Sequence, residues 1–135
     1  AMNGLTDLEQ LLRSLAPRRL SGEWAFCSLT PDRLAETPTL ATEALATFRE
    51  KEGLSILLPV ERATELGLSF EGNFTGITLD VHSSLHAVGL TAVVASRLSE
   101  AGISANVIAA AFHDHVFVPT AEAAEALHIL NSLRA

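Results

Sequence analysis

Leu8, Leu11, Leu12 and Leu15 recur at steps of three and four, which lays one apolar stripe along a helix. Thr6-Asp7-Leu8-Glu9 ahead of them reads as a capping box, and Pro17 ends the element. Between Glu23 and Leu29, Trp24, Phe26 and Ser28 alternate with Ala25, Cys27 and Leu29, predicting a strand buried on both faces. From about Thr42, Leu45, Phe48 and the helix-favouring Arg49 to Glu52 predict a short helix capped by Gly53. Leu54 to Leu58 is a compact apolar strand closed by Pro59, and Glu61 to Leu66 makes one or two helical turns ended by Gly67.

The second half has sharper periods. Ile77, Leu79 and Val81 alternate with Thr78 and Asp80, as in a strand with one buried face. Leu90, Val93, Val94, Leu98 and Ala101 then follow a helical stripe that stops at Gly102. Ile103 to Phe112 and Val116 to Val118 are two strand-forming runs around His113-Asp114-His115, and Pro119-Thr120 opens a last helix with Ala123, Ala126, Leu127, Leu130 and Leu133 inward. The order strand, helix, strand, strand, helix folds most economically as an antiparallel sheet with both helices on one face, the split βαβ arrangement without its last strand. Three strands leave an open edge, so the missing strand is expected from the first half. The fold class is therefore α+β, with an abbreviated lobe over residues 1–68 and a fuller one over 69–135.

At 135 residues, 48% hydrophobic and 19% charged, the chain has apolar surface enough for a packed core and too few residues for two large domains. A net charge of −7 with Lys51 the sole lysine argues against a phosphate-tracking surface, so no nucleic-acid partner is expected. No apolar run reaches the length of a membrane span, and Ala1-Met2-Asn3-Gly4 does not begin like a secretory leader. Cys27 has no cysteine to pair with, which suits a reducing cytoplasm.

Candidate chemistry is sparse. His82, His86, His113 and His115 crowd the second half, and a regular strand would send His113 and His115 to one face and Asp114 to the other. Two imidazoles fall short of a metal site, and even His82 as a third would leave a structural zinc without its fourth ligand, so no metal is assigned. A metal-dependent enzyme built on His82, His113 and His115 stands as an alternative reading. Cys27 in an apolar strand lacks a base and reads as core, as do Trp24 and Phe26. Asp80 reads as solvated strand face. No phosphate loop, dinucleotide turn or nucleophile elbow is present, and no cofactor is expected.

Val88-Gly89-Leu90-Thr91-Ala92, followed by Leu98-Ser99-Glu100-Ala101-Gly102-Ile103 and Ser104-Ala105-Asn106-Val107, resembles the ACT domain pattern. His82 to Thr91 and Phe112 to Pro119 are closer still to a small bacterial family of paired ACT domains, and Ala46 to Leu54 is similar to its first part. The resemblance implies a non-catalytic regulatory protein that pairs as a homodimer and binds an amino acid or related metabolite where two lobes or subunits meet. It implies ligand contacts at Gly89 and Leu90 in the glycine turn and at Asn106, Val107 and Ile108 on the facing strand. Gly89 would let a carboxylate approach the amides at the start of a helix, and Asn106 offers a donor and an acceptor. Related arginine sensors are similar in placing an acidic contact near the glycine turn, whereas Ser83 to Ala87 contains no carboxylate. A ligand-free assembly module is the remaining alternative.

Overall fold

A computed structural model describes residues 7–134. In chain order the helices are α1 (Leu8–Ser14), α2 (Pro31–Glu36), α3 (Leu40–Glu43), α4 (Val60–Glu65), α5 (Leu90–Glu100) and α6 (Ala123–Ser132). The strands are β1 (Pro17–Arg19), β2 (Trp24–Leu29), β3 (Ala46–Glu50), β4 (Gly53–Pro59), β5 (Phe74–Leu79), β6 (Asn106–Ala109) and β7 (Asp114–Pro119). Packing divides the chain into two compact units, one from Gly22 to Phe74 and one made of the segment ending at Ser21 plus everything from Thr75 on. This differs from the contiguous 1–68 and 69–135 lobes read from sequence. The reason is β1, which leaves the N-terminal segment to pair with a strand sixty residues further along.

In the discontinuous unit the sheet runs β1-β5-β7-β6. β1 lies antiparallel to β5, Arg18 opposite Thr78, and β6 lies antiparallel to β7, Asn106 opposite Phe117. The strand missing from the C-terminal half is thus β1, a short segment whose Pro17-Arg18-Arg19 carries no hydrophobic alternation by which to announce itself. One face is dry: Leu11 of α1 and Leu15 just after it, Val94 and Leu98 of α5 and Ala126 and Leu130 of α6 pack on Ile77, Leu79, Val116 and Val118. Burying side chains of this size contributes about 1.5–3 kcal/mol each before conformational entropy is subtracted. α1 begins with Asp7, whose carboxylate accepts the Gln10 amide at 3.1 Å; Thr6 of the expected capping box lies outside the described residues.

β5 departs from expectation. It was read as buried on one face only, yet Thr75 and Thr78 are each 1% exposed alongside Ile77 and Leu79. These hydroxyls are tolerated because each has a partner: Thr75 Oγ1 donates to Thr120 Oγ1, and Thr78 Oγ1 bonds His115.

The continuous unit repeats the plan in the order β3-β4-β2, with α2 and α4 against β2 and β4. Its core is Ala25, Cys27, Leu29, Leu40, Ile56, Leu58 and Ala63. Two expectations fail here. β2 is buried on one face only, since Phe26 is 40% exposed with its ring edge-on to Phe74. The segment expected to be a helix ending at Gly53 is instead β3, paired in register with β4 from Ala46 opposite Leu57 to Glu50 opposite Gly53. Lys51-Glu52 forms the hairpin turn, and Gly53, with φ +151°, opens the returning strand where a Cβ would collide with the Leu29 carbonyl oxygen. The helix propensity of Arg49 to Glu52 is small, and cross-strand pairing with the apolar Leu54 to Leu58 run outweighs it. Burial also pushes the Cys27 thiol above its ordinary pKa, as suits a core cysteine rather than a nucleophile.

Candidate functional site

A concavity with polar groups in its walls sits where α5 begins. Gly89 holds φ +103° there, a left-handed conformation that turns the chain sharply into the helix. No side chain caps α5, and its first internal bond runs from the Val93 amide to the Gly89 carbonyl, so the amides ahead of Val93 face outward without a helical partner. The cleft of about 150 Å³ in front of them is walled by Ser83, Ser84, Leu85 and Ala87 on one side and by Ala109 and Asp114 on the other.

Two of these side chains give the cleft its character. Ser83 is 6% exposed, and its hydroxyl has no hydrogen-bond partner among the described residues. Asp114 is half-buried, and burial raises its carboxyl above the ordinary pKa while His115 and His113 pull it back down. Uncapped amides and the helix dipole favour an anion, whereas a carboxyl away from bulk water favours a cation. An ion carrying both charges satisfies both ends.

Of the residues singled out from sequence, Gly89 and Leu90 lie on the cleft wall. Asn106, Val107 and Ile108 do not. Asn106 donates its side-chain amide to the Phe117 carbonyl at 3.2 Å, Val107 packs against the hydrophobic core, and Ile108 lies opposite His115. The next residue of that strand, Ala109, is the one on the wall. Ser83 and Asp114 also line the cleft and were not singled out from sequence as contacts. Asp114 had a legible signal: it shares strand parity with the buried Val116 and Val118, so it must lie on the helix-covered face where α5 starts. The carboxylate absent from the 83–87 loop arrives instead from β7.

Strand alternation puts His115 on the opposite face of β7, and His113 immediately precedes that strand. His113 Nδ1 is 3.1 Å from the Val81 carbonyl, which can only accept, so this nitrogen carries the proton. His115 Nδ1 is 3.0 Å from Thr78 Oγ1, and burial lowers its pKa. His82 packs against Phe112 with the rings tilted at 47° and their centroids 5.2 Å apart, and does not join them. Among the described residues no group of three His, Cys, Asp or Glu side chains converges as a metal site. Asp80 is ion-paired rather than free on the strand face: Arg18 Nε donates to it at 2.6 Å, a hydrogen bond that holds the carboxyl below its usual pKa.

Two split βαβ units whose three common strands run in the same order, one of them carrying a glycine-initiated helix beside a cleft, define a tandem of ferredoxin-like folds. ACT domain models match residues 3–75 and 71–132, and the chain belongs to the ACT domain family, with two such domains in tandem. The matched ranges follow the sequence repeats, whereas the packing units exchange the N-terminal segment. The chain is similar to the Vibrio cholerae protein VC0802, of unknown function and described as a possible transport protein. That similarity is 45% identity over 95% of this chain and 96% of the other, with a TM-score of 0.83. It also resembles the Agrobacterium tumefaciens protein Atu0741, with 18% identity, 89% of each chain covered and a TM-score of 0.67. The regulatory subunit of aspartate kinase from Thermus flavus shares the fold at 9% identity and a TM-score of 0.59, over 90% of this chain and 97% of that one. No curated protein matches. Among the described residues no helix is long and apolar enough to cross a membrane.

Proposed function

We propose that the chain is a non-catalytic regulatory protein of the cytoplasm that binds an α-amino acid, or a close metabolite with both charges, in the cleft at the start of α5. The observation that carries this reading is the convergence, in one cleft, of the uncapped α5 amides behind Gly89 and Leu90, the Ser83 side chain and the half-buried Asp114 carboxyl. The ligand carboxylate would take the amides and Ser83, and its ammonium would take Asp114. The fold shared with a regulatory subunit of aspartate kinase supports a regulatory role by analogy of architecture. Thermal-shift measurement against the twenty amino acids and their parent carboxylic acids tests it. A selective rise in midpoint with an amino acid, absent with the matching deaminated acid and lost in Asp114→Asn, is expected. Flat responses throughout would remove the ligand reading.

A specific observation favours a second copy of the chain as partner. Leu85 on the cleft wall is 67% exposed, Val88 and Phe112 are 83% and 50% exposed, and among the described residues the outer edge of β6, with Asn106, Val107 and Ile108, has no strand beside it. Exposed apolar side chains of this size mark an interaction surface, and a homodimer would cover them. Light scattering of the wild type against Val88→Glu tests this, with a monomeric variant expected. If the flat thermal-shift outcome is joined to a stable dimer, the module serves assembly alone.

A further inference from the structure

We propose that the α5 cleft selects small, uncharged α-amino acids, the size of glycine, alanine, serine and threonine, and that Ala109 on β6 sets the upper limit of size. This deepens the reading above and rests on it for the presence of an amino acid in the cleft.

The lining fixes the charge. Among the described residues Asp114 is the one ionisable side chain on the wall; the other side chains there are hydroxyls, from Ser83, Ser84 and Thr91, or apolar. The ligand carboxylate has donors of its own at the uncapped start of α5 and at Ser83, which is 6% exposed. A single carboxyl pairs with a single ammonium. Once the α-ammonium takes Asp114, a second cation on the ligand finds no counter-charge, and a second carboxylate on the ligand meets Asp114 itself. Lysine, arginine, aspartate and glutamate are rejected on this ground.

The walls fix the size. The cleft holds about 150 Å³, and a cavity of about this volume takes a benzene-sized molecule of about six non-hydrogen atoms. The amino group, α-carbon and carboxylate of an amino acid fill most of it. What remains is bounded by two alanines on braced walls. The Ala87 amide donates to the Ser84 carbonyl at 3.0 Å, and Ser84 Oγ accepts the His86 amide at 3.0 Å. Ala109 lies directly opposite Asp114 in the β6–β7 ladder, which puts both side chains on one face with their Cβ atoms about 4.5–5.5 Å apart. Past that pair, the Ala110 amide donates to the His113 carbonyl at 3.0 Å and holds the hairpin end. The room beside a bound ammonium is therefore what the side chain at 109 leaves. A methyl leaves space for a small ligand side chain, and a larger group takes it.

The test is isothermal titration calorimetry of the full chain with each of the twenty amino acids. The tightest binder is expected among glycine, alanine, serine and threonine, with leucine, phenylalanine, glutamate, lysine and arginine weaker by about tenfold or more. A tightest binder outside that group, or a preference well below tenfold, overturns the selectivity and leaves an amino-acid site standing. No binding by any of the twenty overturns the site and the selectivity together. Ala109 is exposed on an edge strand, so it can be changed without disturbing the core. Ala109→Val, which suits a strand, is expected to weaken threonine by about tenfold more than glycine. Ala109→Lys, whose ammonium reaches the carboxyl across the ladder, is expected to weaken every ligand by about tenfold or more. Equal losses for glycine and threonine in the valine variant, or undiminished binding in the lysine variant, overturn the role of Ala109.

Discussion

The two units share a plan and differ where ligand chemistry would be. β2 and β5 are both six-residue strands, β4 and β7 both end at proline, and each proline is followed by the last helix of its unit. The crossover helices differ. In the continuous unit the crossover is broken into α2 and α3, and α2 begins satisfied: Thr30 Oγ1 accepts the Arg33 amide at 3.2 Å, and Pro31 has no amide to leave unpaired. In the discontinuous unit α5 runs unbroken for 11 residues and begins at a glycine with no cap. The returning strands differ in the same sense, since Gly53 and Leu54 stand before β4's buried run where His113 and Asp114 stand before β7's. One copy of the fold has its helix start closed and its strand start apolar. The other leaves both polar and open, which is what a binding site requires.

The largest expected effect tests whether the units carry comparable cores. Leu98→Ala in α5 removes a side chain with no exposure, and the stability measured by urea denaturation is expected to fall by about 2–5 kcal/mol. Ile56→Ala in β4, at 1% exposure, is expected to cost a similar amount. A loss below about 1 kcal/mol in only one of them would show that its unit is loosely packed and break the parallel.

Gly89→Ala comes next. Any other residue must adopt φ +103° there, and its Cβ would lie 3.1 Å from Leu8 Cδ2 of α1. A cost of about 1–3 kcal/mol is expected by urea denaturation, together with loss of any ligand-induced thermal shift. An unstrained variant that still binds would mean that the glycine turn is incidental to the site. Thr30→Ala, the matching change at the start of α2, is expected to cost about 1 kcal/mol by the same measurement and to leave ligand response intact.

How much of this was readable in the sequence follows from the same contrast. Period-two and helical repeats placed β2, β4, β5, α5 and α6, because there burial and local propensity agree. β3 was misread because Thr47, Arg49 and Glu50 are exposed on an edge strand and carry no apolar alternation, so helix-forming residues dominated a local reading. β1 was invisible because its pairing with β5 is a long-range fact. At the site, Gly89 was legible from its position before a helical stripe. Ser83 was not, since nothing local tells a buried serine from a solvated one. Asp114 could have been placed by its parity with Val116 and Val118, had the strand been read for the helix-covered face as well as for its histidines.

The smallest expected effect concerns that carboxyl and has a definite sign. Burial holds the folded-state pKa of Asp114 above its ordinary 3.8, so folding favours the protonated form. The stabilisation from this is complete below the unfolded value and is lost as pH rises through the folded one, so at neutral pH the wild type carries the cost of a desolvated charge. Asp114→Asn is therefore expected to melt slightly higher than the wild type at pH 7, with the difference closing near about pH 3. His115 contributes in the opposite sense: its lowered pKa stabilises the fold above about pH 6.5, and that contribution is lost as pH falls through the folded value. Melting curves of wild type, Asp114→Asn and His115→Gln across this range separate the two. Leu54, at the matching position of β4, has no charge to desolvate, so Leu54→Asn is expected to lower the midpoint at every pH. A gain at neutral pH confined to Asp114 would identify it as a residue kept at a cost to stability, the signature expected of a ligand contact rather than of a structural one.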